Sequence, residues 1–307
     1  MKVYDIPEGS KTFKGRAVQN LLNIDSDDKA TAFICIKNIN DEEFVNSHNL
    51  VFCTRNGLIK KTAFVNYSRP RSNGLIAINL NEGDTVKEVL LTSGTDEILI
   101  ANRNGRAIRF VESTVRVMGR GAAGVRALKL DDDGEDEIVG MIAMHRPEGM
   151  TDEELENDPN QPTVLVVSEK GYGKRSSIYD YRITNRNGKG IKTLNITEKT
   201  GKLIAIQSVT DEDDLMIINK SGVAIRLSLQ SIRIQGRNTQ GVCLINLKKR
   251  NDAISSVCKV EHEDIEEEEL EAVPDADGQT NMAFQKHDDA NTDNTAEPDE
   301  QETTTKE

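Results

Sequence analysis

The stretch that decides the fold is IRIQGRNTQGVCLINL at residues 232–247, because VRVMGRGAAGVRALKL at residues 115–130 repeats it. In each, an arginine, three residues, a second arginine and three more residues lead to a glycine. Apolar residues alternating with polar ones follow, which is the period of a half-buried strand. A search for further copies finds equivalent glycines at Gly74 (YSRPRSNGLIAINL) and Gly190 (YRITNRNGKGIKTLNI), besides Gly124 and Gly241, with a weaker first copy at Gly15 (SKTFKGRAVQNLLNI). Successive intervals are 59, 50, 66 and 51 residues. The longest contains an insertion, HRPEGMTDEELENDPNQP at 145–162, read as an acidic surface loop.

A second glycine series runs through the same units, in LVFCTRNGLIKKTA, EILIANRNGRAIRF, TVLVVSEKGYGKRSSI and DLMIINKSGVAIRL. Each is an apolar run, a tight turn ending in glycine and a second run. Asn56-Gly57 and Asn104-Gly105 are strong hairpin signals, Lys170-Gly171 and Ser221-Gly222 weaker ones. Further strands, such as DEIVGMIAM and GKLIAIQSV, make one unit about four short strands in roughly 50 residues. Tandem units of this kind predict a radial all-β architecture of blades. A sandwich would leave the recurring phrase unexplained. The count is four full units, a partial one at the start that opens with a strand-like MKVYDI, and a partial one formed by the last phrase and DAISSVCKV.

The chain has 307 residues, no Trp and 4% aromatic residues, so its core must rest on Val, Ile and Leu, which favour strands. No apolar run reaches membrane-span length and the first residues lack a signal-peptide core. Four scattered cysteines, Cys35, Cys53, Cys243 and Cys258, suit a reducing cytoplasm. The net charge of −13 is unevenly placed: residues 261–307 hold 18 acidic and 2 basic side chains, whereas residues 1–260 hold 34 and 37. The division expected is therefore a mildly basic β domain over 1–260 and a disordered acidic tail over 261–307.

The position four residues after each hairpin glycine is basic in all four copies: Lys61, Arg109, Arg175 and Arg226, with Lys60, Arg106 and Lys174 beside them. In the arginine phrase, Arg116 and Arg120, Arg182 and Arg186, and Arg233 and Arg237 hold the same two positions. The Gly74 copy departs, with Arg69 and Arg71, and the Gly15 copy has only Lys11. If blades repeat, each basic position recurs on successive blades and forms a stripe, which suits duplex DNA held through its phosphates. Without interleaved aromatics, stacking on single-stranded bases is disfavoured. For any one arginine, edge protection or loop capping explains the charge as well; recurrence in register is what favours DNA.

Other sites fall away. GYGKR at 171–175 lacks the ending and helix of a phosphate-binding loop. DDDGEDE at 131–137 puts Lys129 and Gly140 at the first and twelfth positions of a calcium loop. No catalytic constellation and no metal motif is readable, so the chain reads as a binder.

MKVYDIPEGSKTFKGRAVQNLLNI, VRVMGRGAAGVRALKL, SEKGYGKRSSIYDY and IRIQGRNTQGVCLINL resemble the C-terminal domain of bacterial DNA gyrase A, part of a type IIA DNA topoisomerase. The resemblance spans residues 1 to about 260. It implies a β-pinwheel, a propeller-like disc of four-stranded blades that exchange strands, with about five blades' worth present here. It also implies a basic rim that wraps duplex DNA and supports ATP-dependent negative supercoiling by a whole enzyme in the bacterial cytoplasm, at the nucleoid. Partners would be the N-terminal part of gyrase A and the ATPase protein, gyrase B. ATP and Mg would belong to that enzyme, with no cofactor and no catalytic tyrosine on this chain. The family's Gln-Arg-Arg-Gly-Gly-Lys-Gly box is absent, and the chain begins just downstream of its expected place. The C-terminal domain of topoisomerase IV is the nearest alternative, and a protein-interaction propeller is an alternative from another class, whose Trp-Asp endings a chain without Trp cannot carry.

Overall fold

The computed structural model describes residues 3–262, apart from 10–15, 23, 26–27, 72, 133, 147–148, 150–153, 155–160 and 248–251; beyond 262 it describes only 273–274 and 280–281. The chain divides into two units, Met1–His262 and Glu263–Glu307. In the second unit, Val273–Pro274 pairs antiparallel with Thr280–Asn281. The expected character of the tail otherwise lies outside the described residues, as do the Gly15 and Lys11 copy and most of the 145–162 insertion.

The first unit is a row of antiparallel sheets. In the first sheet, β1 (Asn49–Thr54) lies between β2 (Leu58–Ala63) and β3 (Val86–Thr92). The second has β4 (Glu97–Asn102) and β5 (Arg106–Val111), with β7 (Ile138–Met144) outside β4. The third has β8 (Thr163–Ser168), β9 (Tyr172–Ser176) and β11 (Leu203–Val209). The fourth has β12 (Asp213–Asn219), β13 (Ala224–Ser228) and β15 (Ile254–Glu261). A fourth strand is lent to each of the first three sheets by the unit that follows it in sequence: β6 (Val125–Arg126) pairs with β2, β10 (Ile191–Lys192) with β5, and β14 (Val242–Cys243) with β9. The first three blades are thus four-stranded through exchange, and the fourth has three strands among the described residues.

Two expectations from the sequence need correction. The DAISSVCKV segment does not start a further unit; as β15 it is the outer strand of the fourth sheet, paired with β12 from Asp213↔Glu261 to Asn219↔Ile254. The strand-like start is a 3-10 turn at Val3–Asp5, so the described residues hold four blades. One short α-helix, α1 (Glu42–Ser47), is capped by Asp41, whose Oδ1 accepts from Phe44 N at 3.1 Å.

Alternation explains why the blades stack. On β4, Ile98 and Ile100 face the first blade while Leu99 and Ala101 face the third. On β8, Val164 and Val166 face the second blade while Leu165 and Val167 face the fourth. A strand buried on both faces reads as a continuous apolar run, as EILIA and TVLVV do. Each fully buried Val, Leu or Ile contributes about 1.5–3 kcal/mol, so the interfaces between blades are the core. Backbone bonds staple them: Ile138 N donates to Arg55 O at 2.9 Å, Leu203 N to Arg103 O at 2.9 Å and Ile254 N to Glu169 O at 3.0 Å. Carboxylates pin the hairpin turns within each of the first two blades. Asp136 accepts from Asn102 Nδ2 at 2.6 Å, Asp131 N at 3.0 Å and Asn104 N at 3.2 Å, fixing the β4–β5 turn; Asp84 accepts from Asn56 N at 3.0 Å at the β1–β2 turn.

Candidate nucleic-acid interface

The repeated arginine phrase is an arm that crosses from one blade to its neighbour. After β5, β9 and β13 a 3-10 turn redirects the chain (Glu112–Thr114, Ile178–Asp180 and Leu229–Ser231). The arm then runs parallel to the second strand of the preceding blade, bridging Val117 to Lys61, Ile183 to Arg109 and Ile234 to Arg175. Met118 N donates to Lys61 O at 2.7 Å, and Thr184 N to Arg109 O and Gln235 N to Arg175 O, each at 2.8 Å. The arm reverses at the phrase glycine and returns as the lent strand.

Only glycine fits at that reversal. Gly124 and Gly190 have φ of 103° and 70°, and a Cβ on either would lie 2.6 Å from a strand carbonyl, that of Ile59 or Ala107. Gly241 has the same relation to the Gly173 carbonyl. Gly74 meets nothing within 4 Å.

The basic side chains separate into two groups, and one overturns the expected surface stripe. Lys60, Lys61, Arg109, Lys174 and Arg175 are buried. Arg109, 4% exposed, pairs with Glu97 and donates from Nη1 to the Ile178 and Tyr181 carbonyls, both at 3.0 Å. Arg175 donates to Leu229 O at 2.8 Å, Thr163 Oγ1 at 2.9 Å and Asp211 Oδ1 at 2.5 Å. Lys61 reaches Glu112 O at 3.2 Å and Glu112 Oε1 at 3.5 Å. Each grips the turn of the following blade, so this register is a set of clamps between blades. Its cations give up water for carbonyls of the redirecting turn, three of which (Glu112, Ile178 and Leu229) also accept the turn's own backbone bond, from Val115 N at 2.9 Å, Tyr181 N at 2.9 Å and Ile232 N at 3.0 Å. Arg226, half-buried, pairs with Asp214 at 2.6 Å and donates to Glu261 O at 2.8 Å.

Lys60 and Lys174 hold the arm itself. Lys60 Nζ donates to the carbonyls of Ala77 and Arg120, and Lys174 Nζ to Gly236 O at 2.7 Å. Burial, with Arg120 nearby, lowers the Lys60 ammonium to about 8; burial likewise lowers Lys174 to about 8, with Asp180 opposing and Arg237 assisting. The second blade has Ile108 at this position, beside a cavity of about 220 Å³ lined by Arg182, Asn185 and Lys189 among others.

The second group faces outward. Arg116, Arg182 and Arg233 are exposed, one on each arm, and among the described residues none has an ion-pair partner. Arg120, Arg186 and Arg237 are half-buried. Arg186 donates to Thr114 O and Arg126 O, both at 3.3 Å, and Arg237 to Lys192 O at 3.0 Å, which ties neighbouring arms together. Arg69 and Arg71 are exposed beside Gly74, and Arg106 is half-buried. Sequence reasoning passed over Arg126, Lys189 and Lys192, all exposed at the arm's return. Scanning two positions beyond Gly124 and Gly190 finds Arg126 and Lys192, although the Gly74 and Gly241 copies have Ile76 and Cys243 there. Arg106 lies directly opposite Lys192 across β5 and β10, an arrangement of like charges that costs stability unless an anion neutralises it. No group of His, Cys, Asp or Glu able to hold a metal ion occurs among the described residues. No helix among them is long and apolar enough to cross a membrane.

Comparison with known proteins gives the same repeat. The family model described as DNA gyrase C-terminal domain, beta-propeller, matches residues 48–93, 96–143, 162–210 and 213–257, one match per blade. The A subunit of DNA gyrase from Staphylococcus aureus (strain MRSA252) is 42% identical over 271 residues, which cover 88% of this chain and 28% of that protein. The crystal structure of the C-terminal domain of DNA topoisomerase IV superposes with a TM-score of 0.68 at 25% identity, over 80% of this chain and 71% of that one. A DNA gyrase A C-terminal domain structure gives 0.66 at 23% identity, over 80% and 75%, a likeness of fold. The chain spans less than a third of the length of the curated relative.

Proposed function

Because the chain belongs to the DNA gyrase C-terminal domain family, we propose that its arms bind and bend duplex DNA along the outward arginines, as the DNA-wrapping part of a gyrase A protein. The observation that carries this reading is the recurrence of Arg116, Arg182 and Arg233 at one position of three successive arms, exposed and without an ion-pair partner among the described residues. Guanidinium groups at a regular spacing on strand-pinned backbone match a polyanion that passes from blade to blade. The half-buried Arg120, Arg186 and Arg237, and Arg126, Lys189 and Lys192 at the arm's return, extend the same surface. Contacts of this type go to phosphates and so place the duplex without reading its bases.

In a complete enzyme this surface would hand a wrapped segment to the breakage–reunion part of gyrase A and to the ATPase protein, gyrase B, which together would supply the tyrosine, ATP and Mg. The test is the salt dependence of binding to a fluorescent duplex. Replacing Arg116, Arg182 and Arg233 together by Gln is expected to weaken binding to all sequences alike. The log–log slope should fall by about 0.9 for each phosphate no longer neutralised. An unchanged slope and affinity would reject the assignment.

A further inference from the structure

The arginine arms carry an apolar residue where a solvated one is expected. Val117 is 56% exposed, Ile183 43% and Ile234 59%, and each follows an outward arginine: Arg116-Val117, Arg182-Ile183, Arg233-Ile234. A single exposed aliphatic residue on a protein surface needs no explanation. These three share one position. Each is the residue whose backbone bridges in parallel to the clamp cation of the neighbouring blade, Lys61, Arg109 or Arg175. The flanking residues differ in fate: Val115 and Met118 are buried within the first arm, whereas Val117 between them is not. The position is therefore held rigidly by the sheet while its side chain stays in water. Strand preference alone does not require this, since Thr is β-branched and would serve an exposed edge at lower cost.

Resting on the DNA reading above, we propose that Val117, Ile183 and Ile234 are apolar DNA contacts, one per arm, that enter the minor groove where it faces the protein. The arginines at either side support that geometry. Arg116 and Arg120, Arg182 and Arg186, and Arg233 and Arg237 are four residues apart in sequence, a span of at most about 14 Å in extended chain. That is enough for two guanidinium groups to reach the phosphates on opposite walls of a groove about 6 Å wide. The aliphatic residue between them then meets sugars and base edges. Apolar contact with the sugars of a narrowed, inward-facing minor groove favours duplex bent toward the protein over straight duplex. The charges attract DNA of any shape, and the Val and Ile side chains select the bent form.

The experiment replaces Val117, Ile183 and Ile234 together by Ser in the full chain. The probe is a linear duplex of about 30 bp, roughly 100 Å long when straight at about 3.4 Å per base pair, with dyes at its ends. Binding is measured across a salt series, bending by end-to-end energy transfer, and thermal unfolding in parallel. The expected result is a loss of bending and a fall in affinity of about tenfold, with the unfolding temperature unchanged. Unchanged bending and affinity would overturn the proposal, as would a lowered unfolding temperature, because the residues would then be structural. If the unaltered chain binds the duplex without salt dependence, the DNA reading itself fails, and this proposal with it.

Discussion

Arg109 and Arg182 offer the sharpest test, since Arg182 immediately precedes the residue that bridges to Arg109 yet the two side chains have opposite fates. Replacing Arg109 by Met removes the guanidinium that joins Glu97 to the turn of the third blade. The Tyr181 carbonyl loses a donor held at 3.0 Å, costing about 1–3 kcal/mol where it remains buried, while the Ile178 carbonyl loses its 3.0 Å donor but keeps Tyr181 N at 2.9 Å. Glu97 keeps Arg146 at 3.1 Å, so its charge is not left wholly unpaired. The stacking of the guanidinium over the Tyr179 ring, 5.3 Å to the centroid, disappears as well. A loss of about 3–5 kcal/mol follows, typical of breaking a buried pair from one side. Replacing Arg182 by Gln should change stability by no more than about 0.5 kcal/mol, while reducing the salt slope of DNA binding by about 0.9. Urea unfolding and duplex titration on both variants, at a salt concentration where folding is complete, decide the matter. The assignment of Arg109 as a clamp and Arg182 as a DNA-binding side chain is refuted if the Met variant keeps its stability and loses salt slope, or if the Gln variant unfolds early.

Substituting Ala at Gly190 places a Cβ 2.6 Å from Ala107 O at a φ of 70°, so the returning strand should leave β5; amide exchange should show faster exchange at Thr193, whose N–H donates to Gly105 O, with global stability lowered by about 1 kcal/mol or more. For Lys60 and Lys174, whose folded values lie below the ordinary lysine value, the unfolded chain binds more protons between about pH 8 and 10.5. Their contribution to stability therefore rises with pH across that window, and the difference between the unaltered chain and a K60M/K174M variant in urea unfolding at pH 7.5, 8.5 and 9.5 should show it; a pH-independent difference would contradict the burial of these ammonium groups. Removing residues 261–307 takes away a net charge of −16 from a chain whose remainder is mildly basic; duplex affinity should rise at low salt and converge with the full chain at high salt, as screening shortens the reach of the charge.

The repeat was legible in the residues because a blade is a local object. Asn56-Gly57 and Asn104-Gly105 form hairpins through the chemistry of two adjacent residues, and EILIA reveals a twice-buried strand through its own continuity. Gly124, Gly190 and Gly241 also stand out by recurrence, although the carbonyl of the neighbouring blade that excludes a side chain there is a tertiary contact. The fate of the charges was not local. Lys61, Arg109 and Arg175 repeat in register as faithfully as Arg116, Arg182 and Arg233, and a one-dimensional scan weighs the two sets alike. What separates them is a set of carbonyls presented by the next blade, 69 and 72 residues away in the case of Arg109. A guanidinium is buried where it meets acceptors that water can no longer reach and stays outside where it meets none. Sequence alone determined that blades would form and that cations would recur on them; only the packing of one blade against another decided which cations close the structure and which remain for a partner.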